Sequence, residues 1–310
     1  MRGPDQDESF KEVAIEFVNI QIAWNCLVER NEFEALVIQL LPPLYRYCEA
    51  HIKSNELLQL VEAALQALES SRELVGNLNH QNILLAVQAS FYGKGESVRL
   101  GRYDIRVPPV YEENILRVGF QINSIEDLNE LGLWGILFVY LYGRFVENQK
   151  GQIYLRHLIK KFRMDNQPWE LALALEMLGG LNLVVSLNTA LKEPILKEAG
   201  QTLTEALEIF ERLGDQREYG YALFWLGGYH YNLHHWDKAI SIWTEAQTIF
   251  DQIGDTISSI HWMLGDLLFK IGDYDAAFQY YQEIREKYLQ RGHKRIAAYA
   301  LSFESLHALR

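Results

Sequence analysis

From Ser9 onward, apolar residues recur at every third or fourth position, the period of a helix that hides one face. Ala14, Phe17, Val18, Ile22 and Cys26 make one such stripe, and Leu57, Leu58, Leu60, Val61, Ala64, Leu65 and Leu68 make another. Sustained period-two alternation is absent. The spacing predicts helices over 8–30, 32–50, 54–71, 79–99, 111–121, 126–148, 150–163, 167–188, 194–212, 216–233, 236–252, 256–271, 274–291 and 293–308. Pro42-Pro43 should kink or restart the second of these, because proline removes a donor and crowds the preceding turn. The nearest thing to a strand is Tyr103–Val110, but Pro108-Pro109 disfavours a central strand, and the segment reads as a loop insertion. The expected fold class is all-α.

The helical pattern repeats. Thr204-Glu-Ala-Leu-Glu-Ile-Phe-Glu-Arg-Leu-Gly-Asp215 and Thr244-Glu-Ala-Gln-Thr-Ile-Phe-Asp-Gln-Ile-Gly-Asp255 share seven identical positions at a constant offset of 40. A weaker copy ends at Arg291-Gly292, and Phe162-Arg-Met-Asp165 closes a similar unit upstream, with the extra residues at Ser186–Pro194 in an inter-helix loop. Gly101-Arg102-Tyr103 resembles the turn Gly272-Asp273-Tyr274, so a further copy is expected to start near Asn79. A period of this length marks a stacked array rather than one closed core.

Within the units, Leu226-Gly227 is followed by Ala239, Trp243 and Ala246, and Leu264-Gly265 by Ala277, Tyr281 and Ile284, at 12, 16 and 19 residues from the glycine. A small residue early in the second helix of a pair allows close approach, and an aromatic one turn later fills the gap. The first unit follows the small–aromatic–small signature of tetratricopeptide repeats; the second departs from it at Ile284. Residues 167–310 resemble that family. The whole chain is similar to the helical sensor region of bacterial signal-transduction (STAND-type, maltose-regulator-like) ATPases, on the strength of Glu16–Arg30 and of the units ending in Leu-Gly-Asp. The resemblance implies an α-solenoid, a right-handed superhelix of antiparallel helix pairs. The expected organisation is a helical cap over 1–78 and an array over 79–310, in units 79–123, 124–164, 165–214, 215–254 and 255–293 with a last helix over 293–310.

Composition narrows the function. With 41 acidic against 29 basic residues the net charge is −12, which lacks the basic footprint that nucleic acid or an anionic membrane requires. An apolar content of 49% excludes disorder. Two cysteines, Cys26 and Cys48, make no disulfide framework and are expected to pack as small hydrophobes. Leu131–Tyr142 is too short to cross a bilayer, and Leu171–Leu187, carrying Glu176 and Asn182, fits a buried helix. The first residues lack the apolar core of a secretory signal, so a cytoplasmic location is expected.

No catalytic constellation emerges. Phe91-Tyr-Gly-Lys-Gly-Glu-Ser97 lacks the order of a phosphate-binding loop, and Glu112 and Glu113 read as a solvated face or helix start. His230 and His234 stand four apart, but zinc needs further ligands and no nearby cysteine supplies one. His230 is expected between helices, with His234 and His235 in the turn before Trp236. No enzyme activity, cofactor or metal is expected; an enzyme would have to build its site from the insertions 103–110 and 186–194.

Aromatics, 12% of the chain, cluster at Phe224, Trp225, Tyr229, Tyr231 and Trp236, and again at Trp262 and Phe269. Trp243, Tyr274 and Tyr281 read as inter-helix core. In the family resembled, the first helix of each pair lines the concave groove. Counting from the repeat glycines puts Phe224, Gly228, Tyr231 and Asn232 there in one unit, and Trp262, Asp266, Phe269 and Lys270 in the next. Aromatics at these positions suit stacking on a peptide side chain or sugar, and equally suit ordinary packing. The function expected is a non-catalytic binding or sensor module for a protein segment, peptide or small ligand, in bacterial signalling or transcription regulation. The alternative is a constitutive assembly scaffold or oligomerisation module.

Overall fold

The computed structural model describes residues 6–50, 54–70, 133–145, 147–186, 192–253 and 258–290, with single helical positions within 80–87 and 294–302. All the regular structure among the described residues is helical: α1 (Gln6–Glu29), α2 (Phe33–Ala35), a π-helical turn (Leu36–Leu40), α3 (Leu41–Ala50), α4 (Ser54–Ser70), α5 (Leu133–Phe145), α6 (Asn148–Met164), α7 (Pro168–Ser186), α8 (Lys192–Leu213), α9 (Gln216–Asn232), α10 (Trp236–Gln252), α11 (Ser258–Lys270) and α12 (Tyr274–Gln290). The chain is an all-α, tetratricopeptide-like helical solenoid. From Leu133 onward the described helices pack as sequential pairs, α5/α6, α7/α8, α9/α10 and α11/α12. The loop insertion 103–110, all of the unit 79–123 but the helical positions within 80–87, the segment 91–97 and the 78/79 boundary lie outside the described residues.

Pro42 and Pro43 do not break their helix. The π-helical turn directly before them absorbs the two missing donors, and the helical path runs on from Phe33 to Ala50. Pro168 and Pro194 sit in first turns, where an N–H has no helical partner anyway. Helix α8 therefore starts at Lys192, earlier than the loop to Pro194 that the sequence suggested.

The tight connections share one chemistry. Asn31, Asn166, Gly214, His234 and Gly272 all have positive φ, between 53 and 88°. The next residue bonds back to the carbonyl five before it: Glu32 to Leu27, Gln167 to Phe162, Asp215 to Phe210, His235 to His230 and Asp273 to Leu268. This is the left-handed helix stop that satisfies otherwise orphaned carbonyls.

The repeat signature acts as its chemistry suggests. A Cβ on Gly227 would stand 2.2 Å from Trp243 Nε1, and one on Gly265 would stand 2.3 Å from Tyr281 Cζ. Each glycine is the seat for the aromatic of the second helix, and the Trp243 indole also donates to the Phe224 carbonyl at 2.9 Å. Helix α7 is long and apolar enough to cross a membrane, but every residue from Leu171 to Leu183 is buried in the protein. Its apolarity on all sides follows from having neighbours on all sides. Its Asn182 is fully satisfied, accepting from Gln152 at 2.7 Å and donating to Glu198 at 3.0 Å. One continuous core runs from Phe10 to Ala222, so the N-terminal helices are built into the array.

The stripe on α1 is a correction. Phe17 is buried, together with Phe10 and Trp24, whereas Ala14, Val18, Ile22 and Cys26 are exposed. The helix carries two apolar stripes, and the one containing Phe10, Phe17 and Trp24 faces the core. Cys48 is buried as expected of it; Cys26 is not.

Candidate functional site

Helices α9 and α11, the first members of the last two pairs, place the predicted residues in two different environments. Lys270 closes α11 and reaches across to α9. Its ammonium donates to the Tyr231 hydroxyl at 2.9 Å and lies 4.5 Å from the centre of the Tyr231 ring and 6.0 Å from that of Trp236. Phe269, 38% exposed, sets its ring edge-on to Tyr274, equally exposed, at 5.0 Å. Asp266 is exposed one turn before Lys270; desolvation raises its carboxyl above the usual range, and Lys270 opposes the shift. Phe224, Tyr231 and Asn232 are half-buried, and Asn232 donates to the Gly228 carbonyl at 3.0 Å.

Two expectations change. Trp262 is 6% exposed and stacks on Tyr281 in a cluster with Ala297 and Ala300. It belongs to the core, because the residues after α12 supply helical positions that cover it. Tyr274, read as inter-helix core, is on the surface. The strip that remains open is therefore Tyr231, Trp236, Asp266, Phe269, Lys270 and Tyr274: aromatic, with one cation and one carboxylate. Beside it, a shallow depression of ≈ 290 Å³ at the start of α10 is lined by His234, His235, Trp236, Asp237 and Lys238. His230 is half-buried; desolvation, then Lys238 and His235, lower its pKa, favouring the neutral ring. Among the described residues no group of three or more histidines, cysteines and carboxylates is placed to hold a metal.

A second polar cluster escaped sequence reasoning. Arg46 on α3 donates from Nη2 to Glu218 at 3.0 Å and to Asp215 at 3.2 Å. Asp215 also accepts from Trp169 Nε1 at 2.8 Å and caps α9 by accepting from the Glu218 N–H at 3.2 Å. Arg217 donates to Glu218 at 3.2 Å and to the Tyr221 hydroxyl at 3.1 Å. All four charged residues are buried. The adjoining cavity, which Glu176 and Met177 help to line, is only ≈ 30 Å³, against roughly 300 Å³ or more for an organic ligand site. The cluster is a fastening between the N-terminal helices and the repeats. The only signal for it in the sequence is Asp215 itself, which the repeat alignment marks without naming a partner.

Residues 261–288, most of α11 and α12, match the tetratricopeptide repeat family model. The chain therefore carries a tetratricopeptide repeat, a unit that mediates protein–protein interaction and is not catalytic. No curated protein matches the chain.

Proposed function

We propose that this repeat-containing chain is a non-catalytic binding module that docks a protein segment along the face formed by α9 and α11. The observation that carries the reading is the Lys270–Tyr231 contact. It joins two successive pairs and leaves Phe269 and Tyr274 exposed beside it. Exposed aromatics next to a cation suit a segment that offers an apolar or aromatic side chain. The net charge of −12 favours a segment that is neutral or basic overall.

In its finer form the module is a sensor in bacterial signalling, supported by the likeness of Glu16–Arg30 and of the Leu-Gly-Asp units to signal-transduction ATPase sensors. The ligand would act by differential affinity for two states of the array. A cytoplasmic setting belongs to the same reading. An assembly scaffold is the second reading, favoured by the exposed apolar face of α1.

The test is selection of peptides from a random display library on the intact chain, followed by titration against variants. Phe269→Ala with Lys270→Ala should weaken the selected peptides about tenfold or more, as expected for central contacts worth over 1 kcal/mol. Peptides that bind this double variant as tightly as the parent would sink the reading.

A further inference from the structure

The outer face of α1 is ordered in a way that solubility does not require. Lys11, Ile15, Val18, Ile22, Asn25 and Glu29 follow one another at steps of four, three, four, three and four, and all six are exposed. Ile15 is 80%, Val18 64% and Ile22 56% exposed. The spacing is that of a heptad seam, apolar at its centre (Ile15, Val18 and Ile22) and polar at its ends (Lys11, Asn25 and Glu29), the pattern by which one helix packs along another. It lies beside, and is distinct from, the seam of Phe10, Phe17 and Trp24 that seats α1 on the core.

The seam is complementary to itself in one direction only. In an antiparallel pair centred at residue 20, Val18 meets Ile22 of the second copy, Ile15 meets Asn25, and Lys11 meets Glu29, each pair of numbers summing to 40. A single register thus pairs Val18 with Ile22 at the centre and opposite charges at both ends. A parallel pair would set Lys11 against Lys11 and Glu29 against Glu29, which like-charge repulsion disfavours. An antiparallel arrangement is also what a two-fold axis generates from one patch on two copies.

We infer that α1 is a homodimer interface, and that the occupant of its outer face is α1 of a second copy, antiparallel. The interface goes beyond the docking of a protein segment on α9 and α11. It leaves that face on each copy free, so the dimer presents two binding strips.

The test uses the full chain in light scattering after gel filtration at micromolar concentrations. The expected mass is twice that of the 36.0 kDa chain. Val18→Glu with Ile22→Glu should give the monomer, with helical circular dichroism retained because neither side chain is in the core. Lys11→Glu or Glu29→Lys alone should raise the dimer dissociation constant, by about tenfold if two ion pairs become repulsions, and the two together should restore it. Direction is read by disulfide trapping. Glu12 and Cys26 directly follow the seam residues Lys11 and Asn25 and flank the seam on the same side of the antiparallel pair, so Glu12→Cys should cross-link to native Cys26 of the second copy under mild oxidation, whereas the parent, with its two Cys26 thiols far apart, should not. A monomeric parent, a dimer that persists in the Val18/Ile22 variant, or cross-linking through Cys26 in the parent would each overturn the proposal. So would a monomer whose Cys26 resists thiol reagents, since another part of the chain would then cover the face. Peptide binding retained by the monomeric variant keeps the two readings separate.

Discussion

Arg46 and Asp215, 169 positions apart, meet at 3.2 Å with the arginine side chain 6% and the aspartate 0% exposed. Asp215 is at once the cap of α9, the acceptor for the Trp169 indole and the counter-ion of an arginine from the N-terminal helices. Removing one partner of a buried pair strands the other charge. Arg46→Met is accordingly expected to lower unfolding free energy by about 3–5 kcal/mol, read by urea denaturation. A loss under about 1 kcal/mol, the range of exposed pairs, would show the pair to be incidental. Asp215→Asn combined with Arg46→Met should cost less than the sum of the single changes.

The left-handed turns offer a paired test. A Cβ on Gly272 meets nothing within 4 Å, and its φ is +88°. Gly272→Ala therefore isolates the backbone cost, about 1–2 kcal/mol. His234 carries that cost already at φ 58°, so His234→Gly should raise stability by up to about 1 kcal/mol. Thermal unfolding of both variants should show shifts of opposite sign.

Close approach in the repeats predicts a different failure. Gly265→Ala would force a Cβ to 2.3 Å from the Tyr281 ring, and the buried ring cannot retreat without disturbing its stack on Trp262. The expected loss is about 1–3 kcal/mol, typical of an overpacked core. Tyr281→Ala in the same chain should recover little, since it exchanges overpacking for a cavity.

Acid should expose the Arg156–Glu198 contact. Arg156 donates to both carboxylate oxygens of Glu198, at 2.7 and 2.6 Å. The hydrogen bonds from Arg156 hold the Glu198 carboxyl below its ordinary range, against desolvation, and Asn182 adds to the effect. The unfolded chain takes up this proton first, so the contact stabilises the fold above the unfolded value of about 4.3. That contribution falls as pH drops through this value toward the folded one. Arg156→Met should lower the melting temperature at pH 7, and the gap from the parent should close in acid. A gap independent of pH would refute the assignment.

Trp262 shows where linear reasoning stopped. Its place in the repeat register made it a groove residue, in the segment that matches the repeat family. It is buried in a cluster that joins Tyr281, Ile284 and Tyr288 to Ala297 and Ala300, and no local pattern announces that the last two fold back. The aromatics Trp243 and Tyr281 were legible as inter-helix core because their signature falls within one forty-residue unit, but close approach was credited to Ala239 and Ala277, and the structure adds Gly227 and Gly265 as the seats. Lys270 was read as a groove position, but its contact with Tyr231 depends on how one pair is seated on the next.

Helix period, turn chemistry and the forty-residue offset are local properties. They depend on bonds and rotations within a few tens of residues, and the sequence alone determined them. It thereby determined an all-α repeat array, the inter-helix aromatics Trp243 and Tyr281, and the turn at Gly272. Burial is not local. Which of two apolar stripes on α1 turned inward, which aromatics stayed open, and which arginine met Asp215 were decided when distant segments met. An apolar face or a charge gains its energy only from the neighbour that removes it from water.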